Sequence, residues 1–194
     1  MNEKTLKIIG RCHSAKDFLN AYEMAARHGF SHINTDLIAG LPDENADDFK
    51  NTLKYIENIN PQSVTVHTMS VKRGSFLDEK YSTYTLSAAS TVNEMLALAR
   101  ESMKKLNKHP YYMYRQKNML GNLENVGYCN TNHECLYNIY IMEEVQSIYA
   151  IGAGASTKII DGDKIDRTFN VKEVSEYIKR IDEMIERKNK LKML

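Results

Sequence analysis

The chain has 194 residues, 42% hydrophobic and 26% charged, enough apolar content for one domain or one and a half and too much for wholesale disorder. Lysine and arginine number 26 against 25 acidic residues, a net +1, so no strong field gathers nucleic acid or an anionic membrane, and neither partner is expected. Three cysteines make no even disulfide set, no apolar run has the length of a membrane span, and MNEKTLKIIGR lacks a signal peptide's apolar core, so a reducing, cytoplasmic setting is expected.

A short helix is expected from Glu3 to Ile9, stopped by Gly10. Ser14 then reads as an N-cap, with Asp17 completing an imperfect capping box, for a helix with Phe18, Leu19, Tyr22, Ala25 and Ala26 on one side and Gly29 at its end. In HINTDLIAGLP, Ile33, Thr35 and Leu37 alternate with Asn34 and Asp36, the period of a strand, broken by Gly40 and Pro42. A second amphipathic helix (Phe49, Leu53, Ile56) ends at Asn60-Pro61, and SVTVHTMSV is a second strand. Strand, helix and strand at this spacing imply a parallel βαβ unit.

After Gly74 the pattern changes. A long helix from about Leu86 to Asn107 leads into the tyrosine-rich YYMYRQKNMLGNLENVGY. The runs LYNIYIME, SIYAIGAG and DKIDRTF read as short strands, the last behind an Asp161-Gly162-Asp163 turn, and a final helix is expected from Val171 to about Lys190 on Val174, Ile178, Ile181 and Ile185. The lysine-rich tail ERKNKLKML continues that helix as a solvated face. The expected class is α/β: a parallel layer over residues 1–78, then an α+β domain with antiparallel pairing over 79–194, the boundary lying near 74 to 85.

Asp36 shares a strand face with Asn34, and a polar row in a helix-covered sheet must point into a lumen, a cleft or a partner. Two readings stand: Asp36 meets a ligand hydroxyl at the strand's carboxyl end, or it caps the next turn. His67, with Ser63 and Thr65, either faces the same interior or is a structural histidine. Arg11, in the break between the first two helices beside His13, is either a solvated loop arginine or a guanidinium aimed at an anion. Gly152 to Ser156, GAGAS, permits close backbone approach or merely a tight connection. Cys129, His133 and Cys135 lack the paired four-ligand spacing of a closed zinc site, so no metal site is assigned; nucleophile elbow, HExxH and EF-hand patterns are absent too, and no catalytic residue is assigned.

Four stretches in this order, LKIIGRCHS, INTDLIAGLPDE, NPQSVTVHTMSVKRGS, and NMLGNLENVGY with IGAGAS, resemble the oxygen-independent coproporphyrinogen III oxidase family of radical S-adenosylmethionine (SAM) enzymes, nearest its coproporphyrinogen dehydrogenase branch. DLIxGLP is the most specific element. The related heme-chaperone branch has a His-Asn…Tyr-Trp motif where this chain has Tyr137-Asn138-Ile139-Tyr140, and the chain has no tryptophan; a heme-binding module is the alternative function.

The resemblance implies the later part of a partial (β/α) barrel followed by a smaller C-terminal domain. It implies that Arg11 and Asp36 hold SAM, by charge pairing and by hydrogen bonds to ribose hydroxyls, and that the Ser70 backbone lies against the cofactor. His67, Tyr128, Gly152 and Gly154 are implied on the substrate side, although Asn125, Val126 and Lys158 differ from the family there. It further implies an electron passed from a [4Fe–4S] cluster to SAM and a deoxyadenosyl radical that drives two decarboxylations of the tetrapyrrole substrate, giving protoporphyrinogen IX. The family's CxxxCxxC cluster motif is missing, since Cys12, Cys129 and Cys135 are 117 and 6 positions apart. The chain is therefore expected to be the later portion of a larger enzyme, inactive alone, with its first parallel strand exposing an edge that a second copy or a rearranged segment covers.

Overall fold

Asn2 accepts the Lys4 and Thr5 amides to start α1 (Glu3–Ile8), and Ser14 with Asp17 forms a complete capping box on α2 (Ala15–Arg27). Both helices end alike. Gly10 and Gly29 take positive φ, and the amides of Arg11 and Phe30 reach back to the carbonyls of Leu6 and Ala25, a Schellman closure that fixes the direction in which Arg11 leaves its helix. These elements belong to a computed structural model that describes residues 1–70, 85–115 and 123–192.

The expected βαβ unit is present. β1 (Asn34–Ala39), α3 (Ala46–Ile59) and β2 (Ser63–Thr68) follow in order, with parallel register from Asn34 opposite Ser63 to Ala39 opposite Thr68. Asn45 and Asp48 box the start of α3, and Asn60 at φ 41° ends it ahead of Pro61. The helix expected from about Leu86 to Asn107 is α4 (Ala89–Lys105). α3 and α4 cover one sheet face, where Leu37, Val64 and Val66 pack against Phe49, Leu53, Ile56, Val92, Met95 and Met103. Each such large side chain contributes roughly 1.5–3 kcal/mol on burial.

β3 (His109–Tyr114) and β4 (Asn125–Cys129) pair antiparallel, as expected of the later chain, but they do so by extending the first sheet to the order β1-β2-β4-β3. β2 is thus central, and its residues are buried on both faces except for half-buried His67. β1 is an outer strand of this sheet, paired with β2 among the described strands. Gly127 is needed in β4 because the Tyr112 ring crosses directly over it; an added Cβ would lie 1.9 Å from a ring carbon.

The compact units are Met1–Cys135 and Leu136–Leu194. The boundary expected near residues 74 to 85, and the central part of the tyrosine-rich run, lie outside the described residues. The second unit contains α5 (Leu136–Met142), β5 (Ser156–Asp161), β6 (Lys164–Phe169), α6 (Val174–Lys179) and α7 (Ile181–Lys192). The β5–β6 hairpin turns at Gly162, as expected.

Three expectations in this unit need correction. LYNIYIME is a helix, not a strand: among the described residues no strand pairs with it, and its β-prone residues satisfy their backbone locally, as in the Glu143 amide bond to the Ile139 carbonyl. SIYAIGAG retains only an isolated bridge between Ile148 and Lys158, and the strand lies at Ser156–Asp161 instead. The final helix is interrupted at Arg180, and Val174, Ile178, Ile181 and Ile185 remain exposed while Met184 is buried.

Candidate functional site

The face of the first sheet opposite the helices carries the polar row anticipated from Asn34 and Asp36. A cleft of about 500 Å³ opens beside the carboxyl ends of β1 and β2, lined by Arg11, His13, Asp36, His67, Ser70 and Tyr114 among others. Leu37, Phe49 and Met69 give it an apolar wall. Carboxyl ends of parallel strands are where α/β folds present their ligand groups, because the connecting loops there vary freely.

Asp36 is held by neighbours on its own strand and on the adjacent one. Its Oδ1 accepts a 2.8 Å hydrogen bond from the Asn34 amide and lies 3.7 Å from His67 Nε2 on the adjacent strand. Hydrogen bonding to His67, aided by Asn34 and Thr65, holds the carboxyl below the usual aspartate range despite partial burial. The carboxylate is therefore ionised at neutral pH, and its partly exposed oxygens are acceptors suited to ligand hydroxyls.

His67 is held from its other side. Its Nδ1 lies 3.2 Å from the Tyr114 hydroxyl, and the two rings meet edge to face. Tyr114 stacks parallel to Tyr112, whose hydroxyl lies 3.4 Å from Thr65 Oγ1; Thr65 in turn donates to Asn34 Oδ1. Side chains from β1, β2 and β3 thus form one hydrogen-bonded surface that crosses β4 where glycine leaves room. Tyr112 and Tyr114 are the residues sequence reasoning missed; their signal is the alternation in YYMY, which puts both on one strand face.

The other anticipated residues divide clearly. Arg11, Asp36, His67 and Ser70 come together around the cleft. Tyr128 does not: opposite Val64 in the register, it is buried on the helix-covered face and lines a separate cavity of about 250 Å³ with Leu96 and Arg100. Gly152 and Gly154 lie in the second unit with φ of 98° and 71°. The Gly152 carbonyl accepts from Asn170, its amide donates to the Tyr177 hydroxyl, and the Gly154 amide donates to the Val171 carbonyl, so this loop is tied within its own unit. Among the described residues, no helix is long and apolar enough to cross a membrane.

Comparison with known sequences finds the broadest likeness in the first third of the chain. Residues 1–56, which include Arg11 and Asp36, match the Radical SAM superfamily. Over nearly its whole length the chain then resembles a more particular group: it is 43% identical over 189 residues, 96% of the chain, to the oxygen-independent coproporphyrinogen-III oxidase-like protein HemZ of Bacillus subtilis. A ribosomal protein uS12 methylthiotransferase, RimO of Clostridium kluyveri, is 32% identical over 124 residues, 63% of this chain and 26% of that protein. Among solved structures, the Escherichia coli coproporphyrinogen III oxidase HemN, described as a radical SAM enzyme, superposes with a TM-score of 0.69 at 18% identity, covering 94% of this chain and 41% of that one. The likeness to the oxygen-independent coproporphyrinogen III oxidases is thereby shown, as is the α/β fold. The chain spans 38% of the length of the Bacillus subtilis relative.

Proposed function

We propose that this chain is the later part of an oxygen-independent coproporphyrinogen III oxidase, and that its share of the work is to grip SAM and to face the tetrapyrrole. The observation that carries the reading is the meeting of Arg11 and Asp36 at one cleft, within the segment that matches the radical SAM superfamily. A nucleoside carrying an amino-acid tail suits such a site: a carboxylate for vicinal ribose hydroxyls, a guanidinium for the tail's carboxylate, and apolar side chains between.

In this reading Asp36 accepts the ribose hydroxyls while Asn34 and His67 hold its carboxylate in place. Arg11, aimed by the Schellman closure of α1, neutralises the tail, and the Ser70 backbone borders the cofactor. His67, braced between Asp36 and Tyr114, presents a polar edge to the substrate side. Bound SAM supplies one-electron chemistry toward the substrate's propionate groups. A [4Fe–4S] cluster does not fit these residues: Cys12 is exposed, Cys129 buried and Cys135 half-buried, and none share the close spacing a cluster needs. The cluster belongs to the portion of the enzyme outside this chain, and the chain alone is inactive. A cytoplasmic location follows from this role.

The test is a chimera in which this chain replaces its counterpart in the Bacillus subtilis relative. Anaerobic conversion of coproporphyrinogen III, lost in Arg11→Ala and Asp36→Ala, supports the proposal. Tight stoichiometric heme binding without conversion would instead indicate a heme-delivery module. An iron–sulfur absorption band reconstituted on the isolated chain would overturn its assignment as cluster-free.

A further inference from the structure

A second group of side chains converges at the opposite end of the first sheet. Cys129 closes β4 opposite Ser63, the first residue of β2, and opposite His109, the first residue of β3. His109 Nε2 is 3.7 Å from Cys129 Sγ and 3.0 Å from Glu134 Oε1, and the three atoms all lie within 4.8 Å of one another. One imidazole nitrogen, one sulfur and one carboxylate oxygen therefore share a single focus.

Their spacing is that of a coordination polyhedron. Tetrahedral zinc, with Zn–S of ~2.3 Å and Zn–N and Zn–O of ~2.0–2.1 Å, separates its ligand atoms by about 3.3–3.6 Å. The 3.0 and 3.7 Å separations bracket that value, so side-chain rotations that draw the third pair together complete the site. We propose that His109, Cys129 and Glu134 form a divalent-metal site, best suited to zinc, with its remaining position open to water.

Local structure supports a prepared site. α4 ends at Asn107 with a positive φ, and the Lys108 amide returns to the Met103 carbonyl, which fixes where His109 enters β3. The turn that delivers Glu134 is held by the Asn130 amide on the Gln62 carbonyl and the His133 amide on the Asn130 carbonyl. The nearby Lys108 ammonium is occupied by Asn60 and Asn130. Cys129 is fully buried while His109 and Glu134 are partly exposed, so the sulfur is shielded from solvent and the metal retains an entry path.

The location assigns a role. Asp36 and the cleft sit toward the carboxyl ends of β1 and β2, whereas this group sits at the amino end of β2. The stabilising end of a barrel-type sheet is the amino end, so the metal clips β3, β4 and the following turn rather than taking part in chemistry. This proposal is independent of the cofactor reading.

The experiment uses the metal-free chain. Cobalt(II) titration is expected to give one equivalent of a thiolate-to-metal charge-transfer band with tetrahedral d–d absorption, displaced by zinc. Zinc is also expected to raise the thermal midpoint of wild type. Cys129→Ser abolishes the band, and Cys12→Ser and Cys135→Ser leave it. Because Cys129→Ser alters a buried position, His109→Gln and Glu134→Gln provide the second readout: each retains the fold and weakens zinc binding by more than ~100-fold, the upper end of what loss of a mere supporting partner costs. No thiolate band at stoichiometric cobalt, a band that survives Cys129→Ser, or unchanged affinity in both His109→Gln and Glu134→Gln overturns the proposal.

Discussion

Asp36 and His67 stand on adjacent parallel strands with a carboxylate oxygen 3.7 Å from Nε2, and the imidazole's other nitrogen is engaged by Tyr114. The carboxylate is therefore oriented before any ligand arrives. In the chimera described above, Asp36→Ala is expected to weaken S-adenosylhomocysteine binding about 10- to 100-fold, since hydrogen bonds to a charged group contribute roughly 1.5–3 kcal/mol. Asp36→Asn keeps the shape and loses less. The affinity depends on the ionised form, and His67 lowers the carboxyl's pKa, so binding persists below the usual aspartate range and falls only as pH drops through that lowered value. Isothermal titration across acidic pH measures both effects. Equal affinity in wild type and Asp36→Ala removes this residue from the site.

Gly127 and Tyr112 form a steric pair. A methyl group at Gly127 collides with the Tyr112 ring, which is held by Thr65 and by stacking on Tyr114 and so cannot swing away freely. Gly127→Ala is expected to cost about 1–3 kcal/mol, the range for overpacking. Adding Tyr112→Ala should recover part of that loss, a non-additivity characteristic of residues in contact. Urea denaturation of the two single variants and the double variant reads the coupling; strict additivity would refute the contact.

Glu44 gives the opposite pH sign from Asp36. Its side chain is buried beside the cleft, and loss of solvation pushes its carboxyl above the usual glutamate range, against a lowering hydrogen bond from Thr5. Between the ordinary value and the raised one, the folded state holds a proton that the unfolded chain has released. The contribution to stability is full below the ordinary value and declines as pH rises through the raised value. Glu44→Gln carries no such proton, so its stability relative to wild type is expected to improve from pH ~4 to ~7. Urea midpoints at several pH values test this, and a constant difference would contradict it.

Much of the first unit is legible in the sequence because its signals are local. Ser14 and Asp17 announce a helix start within four residues, and the alternation from Ile33 to Leu37 fixes which side of β1 Asp36 occupies whatever lies beside it. The cleft's remaining half depends on strand order. Tyr114 reaches His67 only because β4 alone separates β3 from β2 and because Gly127 and Asn125 on β4 leave the face passable. The same is true of His109, Cys129 and Glu134: the separation of His109 from Cys129 along the chain hides a pairing that the β3–β4 register makes direct. In the second unit, LYNIYIME carries residues favoured in strands, and the absence of a pairing strand among its described neighbours, which no local pattern encodes, decides for helix.

Lys158 and Glu144 show how the second unit handles a buried charge. The Lys158 side chain is 8% exposed, its ammonium lies 3.5 Å from a Glu144 oxygen, and it donates to the Ile141 carbonyl. The same carboxylate oxygen accepts from Arg167 at 2.6 Å, so Glu144 joins an exposed cation to a buried one. Glu144 is itself partly solvated, which reduces its Coulombic contribution. Removing it nevertheless leaves a buried ammonium whose remaining partner among the described residues is the Ile141 carbonyl. Glu144→Gln is expected to destabilise the chain by about 1–2 kcal/mol, the cost of leaving a buried polar group poorly satisfied, whereas Glu144→Gln combined with Lys158→Met should lose less than Glu144→Gln alone because no orphaned charge remains. Thermal denaturation of the three proteins decides the matter: if the double variant is the less stable of the two, the ion pair contributes net stability rather than only neutralising a charge already buried.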